Sequence, residues 1–291
     1  MTILRRSGLF LVAILVLVAC QPSGSGSSAS GGAGGNPNDM LAKIKAAGTI
    51  RVATDPAYPP QSELKPDGTY EGFDIDVANK IGEKLGVKVE FITPDFAEVE
   101  AGGWADRWDI SVGSMTITEP RSKVLDFTVP YYYTPAQMGA TTASGITTLD
   151  GLAGKTVCVG ESTTYQFWLE GTLKLLGGVP EPAPVPDGAK VTTFSTDSEC
   201  ADAIAAGRND FEGWLTSSTT LESAIKNGAK FVKVGDPVFY EALGVATDKS
   251  AATHTELQAE LDKIIKGLHE DGTLTTISKK WFEGLDLTKT Q

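Results

Sequence analysis

An α/β fold of open, largely parallel sheets is predicted by three observations. From Met40 onward, short apolar runs rich in Val, Ile and Phe alternate with longer stretches of helical spacing, the pattern of strands joined by helical crossovers. The roughly 250 residues that follow an N-terminal leader and tether suffice for one large or two small hydrophobic cores. No repeat of solenoid period interrupts the alternation.

The elements follow in order. Strands are expected at 49–53, 88–92, 110–113, 156–159, 191–194, 211–215 and 231–234, each a brief run of β-formers bounded by polar or glycine-containing segments. Helices fall between and after them at 74–85, 163–176, 198–206, 218–226, 256–269 and 273–281. In the first of these, Ile75, Ala78, Ile81 and Leu85 share one face. Asp74 stands where it caps that helix, which makes Asp74 and Asp76 capping, solvated residues rather than catalytic ones. Thr163 and Thr164 open the next helix just after a strand ending near Val159. Free N–H groups and the positive dipole end suit an anion there, and a plain threonine cap accounts for the same residues equally well.

The N-terminus reads as an export signal. Arg5 and Arg6 precede an apolar run at 9–18 that is too short for a settled transmembrane helix. Leu17-Val18-Ala19-Cys20 then matches the bacterial lipobox, so residues 1–19 are expected to be removed and Cys20 to carry lipid. Residues 21–38 are almost entirely Gly, Ser, Ala, Pro and Asn. Such a segment has nothing to bury and is expected to form a tether reaching about 23 Å. The protein is therefore expected outside the cytoplasm, held at the cell membrane by its lipid.

Loss of residues 1–19 removes two arginines and no acid, so the net charge moves from −12 to −14. That balance argues against nucleic acid and against electrostatic attachment to anionic lipid. With Cys20 lipidated, Cys158 and Cys200 remain as an even pair in an oxidising compartment, expected to be bridged, the alternative being two separate buried thiols. The two histidines, His254 and His269, sit far away on a late helical stretch, so no metal site and no cofactor are expected.

The chemistry is concentrated in Gly113-Ser114-Met115-Thr116-Ile117-Thr118-Glu119-Pro120-Arg121. Hydroxyls, backbone donors and one guanidinium in a single turn are suited to a carboxylate, since arginine grips both oxygens at once.

Together with Ile50-Arg51-Val52-Ala53-Thr54-Asp55-Pro56-Ala57-Tyr58-Pro59-Pro60, Gly72-Phe73-Asp74-Ile75-Asp76, Asp126-Phe127-Thr128-Val129-Pro130-Tyr131-Tyr132, Leu152-Ala153-Gly154-Lys155-Thr156-Val157, Ala206-Gly207-Arg208-Asn209-Asp210 and Lys280-Trp281-Phe282, this run resembles the family 3 solute-binding proteins, the polar amino-acid class that serves bacterial ABC importers. The likeness covers about residues 48 to 284. It implies a two-lobe, periplasmic-binding-protein-like (type II) α/β fold with a two-strand hinge that closes on ligand, hinge closure being the motion such proteins exemplify. Lobe one is expected at 39–134 plus 238–291 and lobe two at 135–237, with crossings near Thr134-Pro135 and Asp236-Pro237. A monomer working with an ABC permease and a small carboxylate-bearing solute is implied, and no enzymatic activity.

Carried over by position, Tyr58 matches the aromatic that covers the ligand side chain and Phe96 an apolar wall. Ser114 and Thr116, with Met115 between them, match the carboxylate or ammonium partners, and Arg121 the carboxylate clamp. Gly160, Thr163 and Thr164 match the lobe-two loop that closes over the carboxylate. Two positions depart from the family. Gln61 stands where a phenylalanine is usual, and Leu215 stands where an aspartate normally binds the α-ammonium. A buried ammonium without its carboxylate costs several kcal/mol. Either Glu212 or another acid compensates, or the solute lacks a primary ammonium and Tyr58 with Trp214 cages a quaternary one by cation–π attraction. Of these, the missing aspartate points to the amine-modified, betaine-type solute, although Trp214 reads equally well as core. A cyclohexadienyl-type dehydratase on the same fold would need Glu212 or Glu161 as its acid.

Overall fold

Two ten-residue strands, Tyr132–Thr141 and Phe239–Asp248, run side by side through the middle of the molecule. A computed structural model describes residues 39–289 apart from residue 252; the expected signal peptide, Cys20 and the tether lie outside the described residues. The two strands pair antiparallel, Ala136 opposite Phe239 and Tyr132 opposite Leu243. On one side the sheet continues through Gly213–Ser217, Thr156–Gly160 and Lys190–Phe194. On the other it continues through Ile110–Thr116, Thr49–Ala53 and Lys88–Ile92. The outer three strands of each wing are mutually parallel, whereas each wing joins the central pair antiparallel.

The central pair is the two-strand hinge of a two-lobe α/β fold. Its residues are buried almost without interruption, so they show no alternation, and Pro135 argues against a central strand. For those reasons periodicity does not reveal either strand. A short helix at Met40–Ala47 and a small meander of Ala57–Tyr58, Ser62–Leu64 and Tyr70–Glu71 are likewise additions.

Each lobe has its own core. In lobe one, Ile50, Val52, Ile81, Ile110, Leu257 and Leu261 pack together, and Phe73 lies against Tyr131, Tyr132 and Phe282 at ring separations of 4.8–5.8 Å. In lobe two, Val157, Val159, Leu215, Trp168 and Phe239 form one cluster. A second gathers Phe211, Trp214, Leu221 and Phe231 around Cys158 and Cys200. Those cysteines are bridged, with Cα atoms 5.9 Å apart.

Two helices differ instructively from the sequence pattern. The one expected at 163–176 is Thr164–Leu169. Gly171 takes a left-handed φ of 69°, and the N–H of Thr172 turns back to the carbonyl of Phe167, which closes the helix early. The helix Phe73–Leu85 is capped by Gly72, not Asp74. Gly72 has φ 136°, and a Cβ there would lie 2.2 Å from the Gln61 carbonyl oxygen, so the close crossing of these backbones requires glycine. Asp74 falls inside the first turn, fully buried, and accepts hydrogen bonds from Ser114 Oγ at 2.7 Å and the Tyr131 hydroxyl at 2.8 Å. It is therefore a structural tie between helix and site strand rather than a solvated cap. Asp76 is half-buried and accepts from Lys280 Nζ and Trp281 Nε1, each at 2.7 Å.

Candidate functional site

The strand Ile110–Thr116 ends at the seam between the lobes. Alternation along it turns Ser114 and Thr116 to a cavity of about 40 Å³, while Met115 faces the opposite way into a cluster with Trp104 and Trp108. The expected ligand role of Met115 is thus corrected to core packing. Ser114 holds a left-handed φ of 52° and donates from its backbone N–H to the Tyr131 hydroxyl at 3.0 Å. Across the cavity Ser162 holds φ 60°. Such conformations cost on the order of 1–3 kcal/mol each and concentrate at ligand clamps.

Arg121 follows one turn after the strand and is 2% exposed. Its Nε donates to Glu100 Oε2 at 3.1 Å, Nη1 to the Thr116 carbonyl at 3.1 Å, and Nη2 to the Ser162 carbonyl of lobe two at 2.8 Å. Of five guanidinium N–H groups, two remain for a ligand. The plane lies over Phe96 at 5.2 Å and Phe167 at 6.0 Å. Burial pulls the Arg121 pKa below its ordinary value, opposed by the Glu100 carboxylate.

Tyr58, Phe96, Gly160, Thr163 and Thr164 all line the same cavity. The Tyr58 hydroxyl meets that of Tyr165 at 2.9 Å, an interlobe contact. Thr163 caps its helix by accepting from the N–H of Gln166 at 3.3 Å and donates to the Gly160 carbonyl at 2.7 Å, so the cap assignment describes its hydroxyl. Gln61, the first departure from the family, is fully buried and joins the lobes. Its Nε2 donates to Ser217 Oγ and Thr219 Oγ1, both at 2.9 Å, and its Oε1 accepts from Thr220 Oγ1 at 3.2 Å.

Two expected residues are elsewhere. Trp214 is fully buried in lobe two against Phe231, 5.3 Å between rings, and does not line the cavity. Its position opposite Cys158 on the neighbouring strand puts it beneath the disulfide, so it forms no aromatic cage with Tyr58. Glu212 lies just before the start of the same strand, accepting from the N–H of Thr156 at 3.1 Å and pairing with Lys155 at 3.6 Å. It supplies no charge to the cavity. Glu161 lines the rim but is exposed.

Besides Glu161 on the rim, the acids that face the cavity are Asp55, Asp197 and Glu241. Asp197 Oδ1 accepts from the N–H of Gly160 at 2.7 Å and Oδ2 from Thr216 Oγ1 at 2.6 Å. Burial pushes its carboxyl up to about 7, with repulsion from Asp55 and Glu241 adding to the rise. Asp55 accepts from the N–H of Ala57 at 2.7 Å and is pushed up to about 6, again chiefly by burial. Glu241 projects from the second hinge strand; Oε1 accepts from Thr116 Oγ1 and Thr164 Oγ1, and Oε2 from the Tyr165 hydroxyl at 2.9 Å. Burial raises it too. Asp55 was legible inside the Thr54-Asp55-Pro56 run. Asp197, just before a helix, reads as a cap-type residue, and Glu241 stands on a strand that periodicity hides.

Residues 50–284 match the family model of the bacterial extracellular solute-binding proteins, family 3. The chain belongs to that family. The L-cystine-binding protein TcyJ of Escherichia coli (strain K12) is 29% identical over 254 residues, covering 86% of this chain and 88% of that one. An ancestral arginine-binding protein bound to arginine superposes with a TM-score of 0.69 at 30% identity, covering 81% of this chain and 98% of that one. The ancestral amino acid-binding protein AncCDT-1, a precursor of cyclohexadienyl dehydratase, superposes with a TM-score of 0.70 at 29% identity, covering 84% and 99%. The resemblance carried by the sequence motifs is thereby confirmed: this is a solute-binding protein of the ABC-transport class. Among the described residues no helix is long and apolar enough to cross a membrane.

Proposed function

We propose that this chain is the lipid-anchored receptor of an ABC importer and closes its lobes, 39–134 with 238–291 and 135–237, around one α-amino acid. Residues 1–19 serve as the lipoprotein signal peptide, Cys20 carries the lipid, and the receptor works as a monomer beside its permease. Arg121 clamps the α-carboxylate with its two remaining N–H groups, assisted by Ser114, Thr116, Gly160 and the Thr163-Thr164 turn. Tyr58 and Phe96 flank the ligand's side chain.

The observation that carries this reading is Asp197. Leu215 is core, yet its neighbour Thr216 hydrogen-bonds to Asp197. A carboxylate is therefore delivered to the end of that strand from the loop beside it, where the family's aspartate would otherwise serve. A buried carboxylate with only neutral donors around it is suited to an ammonium, whose positive charge offsets the cost of keeping it ionised. A betaine-type solute is disfavoured because Trp214 is absent from the cavity, and a dehydratase because Glu212 is absent from it and Glu161 stands only on its exposed rim, without the burial a general acid needs. The named relatives, a cystine binder and an arginine binder, are in accord with an amino-acid ligand.

The test is a thermal-shift panel of the twenty amino acids and several betaines on the wild type and on Asp197→Asn. An amino acid at 100 times its Kd adds about 2.7 kcal/mol to folding. That stabilisation should vanish in Asp197→Asn. Stabilisation by betaines alone would overturn the reading.

A further inference from the structure

We propose that the solute carries a net positive charge: an amino acid with a second, cationic group rather than a neutral or acidic side chain. This rests on the amino-acid reading above and goes on to name the class of side chain.

The candidate site is the cavity at the lobe seam beside Arg121, which is 2% exposed with two of its five N–H groups left over. What selects among solutes is the charge around that arginine. Leaving Glu161 on the rim to solvent, three carboxylates face the cavity interior, Asp55, Asp197 and Glu241, and among the described residues no lysine, arginine or histidine nitrogen lies within 4.0 Å of any of them. Each is held by neutral donors alone: a backbone N–H for Asp55, a backbone N–H and a hydroxyl for Asp197, three hydroxyls for Glu241. Arg121, the one cation lining the cavity among the described residues, is already paired with Glu100.

Counting the five groups as ionised gives four acids and one base, a formal −3. A zwitterion adds an ammonium and a carboxylate and leaves that sum unchanged. Its ammonium satisfies Asp197, and its carboxylate takes up Arg121, but Asp55 and Glu241 stay unpaired. An acidic side chain makes the sum −4. A second cationic group makes it −2 and gives a partner to one of the two remaining carboxylates. Buried charges are tolerated when paired and expensive when not, and the penalty is greatest in a closed, water-poor cleft. Burial raises the carboxyl pKa of both Asp55 and Glu241, and at Glu241 the Arg121 charge opposes that rise without cancelling it. Neutralisation by protons is the alternative way to relieve the excess, and it makes the opposite forecast: no discrimination by side-chain charge.

The experiment is titration calorimetry at pH 8 on the whole purified protein, stripped of co-purified solute, with ornithine, glutamine and glutamate as probes of similar size and charge +1, 0 and −1. Ornithine is expected to bind at least about tenfold more tightly than glutamine, with no measurable heat from glutamate. In Asp55→Asn and in Glu241→Gln, at least one of which retains the wild-type circular dichroism spectrum, the ornithine-to-glutamine ratio should fall toward unity. Glutamine or glutamate binding as tightly as ornithine to the wild type overturns the proposal even if neither variant folds. A wild type that binds none of the three, nor any other amino acid, instead overturns the amino-acid reading beneath it.

Discussion

Replacing Cys158 and Cys200 by alanine opens a bridge between residues 42 apart in lobe two. In the chain-entropy description, closing a loop of that size removes about 13 cal/mol/K from the unfolded ensemble, or about 4 kcal/mol at 25 °C. Both cysteines are fully buried among Phe211, Trp214, Leu221 and Phe231, so lost packing adds to the entropic loss. For a protein of this length the change corresponds to a fall in Tm of roughly 8–16 °C. A functional consequence follows from position. Cys200 is three residues beyond Asp197, and Ser195, Thr196 and Asp197 all line the cavity, so the bridge also anchors the loop that supplies the proposed ammonium partner. Ligand affinity is expected to fall together with stability. Urea unfolding of the double variant beside the wild type, each with and without ligand, measures both. A loss of stability under about 1 kcal/mol would refute the claim that this crosslink constrains the unfolded chain.

Arg121→Ala should abolish detectable ligand binding while the circular dichroism spectrum is retained, because both the charged clamp and the contact to the Ser162 carbonyl are lost; calorimetry showing unchanged affinity would sink the assignment. Gln61→Ala removes three buried hydrogen bonds that exist only while the lobes are together, each contributing about 0.5–1.5 kcal/mol, so affinity should drop about tenfold or more, and an unaltered Kd would show that the carboxamide does not hold the lobes closed. The carboxyls of Asp55, Asp74 and Asp197 stand at about 6, 7 and 7 in the fold against 3.8 as ordinary groups. Raised folded-state values mean that their contribution is fully present below 3.8 and is lost as pH rises through about 6 to 7. Ligand-free protein is therefore expected to melt higher at pH 5 than at pH 8, and Asp197→Asn, which removes a group facing Asp55 and Glu241, should show a shallower slope; an equal slope in wild type and variant would contradict the burial argument.

Local chemistry was enough to identify the α/β alternation, the helices at 218–226 and 273–281, and the turn that places Ser114, Thr116 and Arg121 together, because each depends on propensity and spacing over a few residues. The hinge strands were illegible for a physical reason: they are buried on both faces and contain Pro135 and Gln137, so neither alternation nor composition marks them. Asp74 looked like a solvated cap because the sequence does not show that Ser114 and Tyr131 close over it. Trp214 and Glu212 flank Gly213 in the chain, and only strand pairing shows that one packs beneath the disulfide and the other faces Lys155. The charge of the cavity was likewise settled by tertiary structure, since Asp55, Asp197 and Glu241 come from three separate segments and meet only when the lobes and the hinge pack together. Sequence by itself determined the lobe-building elements and the turn that brings Arg121 beside Ser114 and Thr116; long-range packing decided which acids face that arginine, because burial and strand register are properties of the assembled fold and not of any one segment.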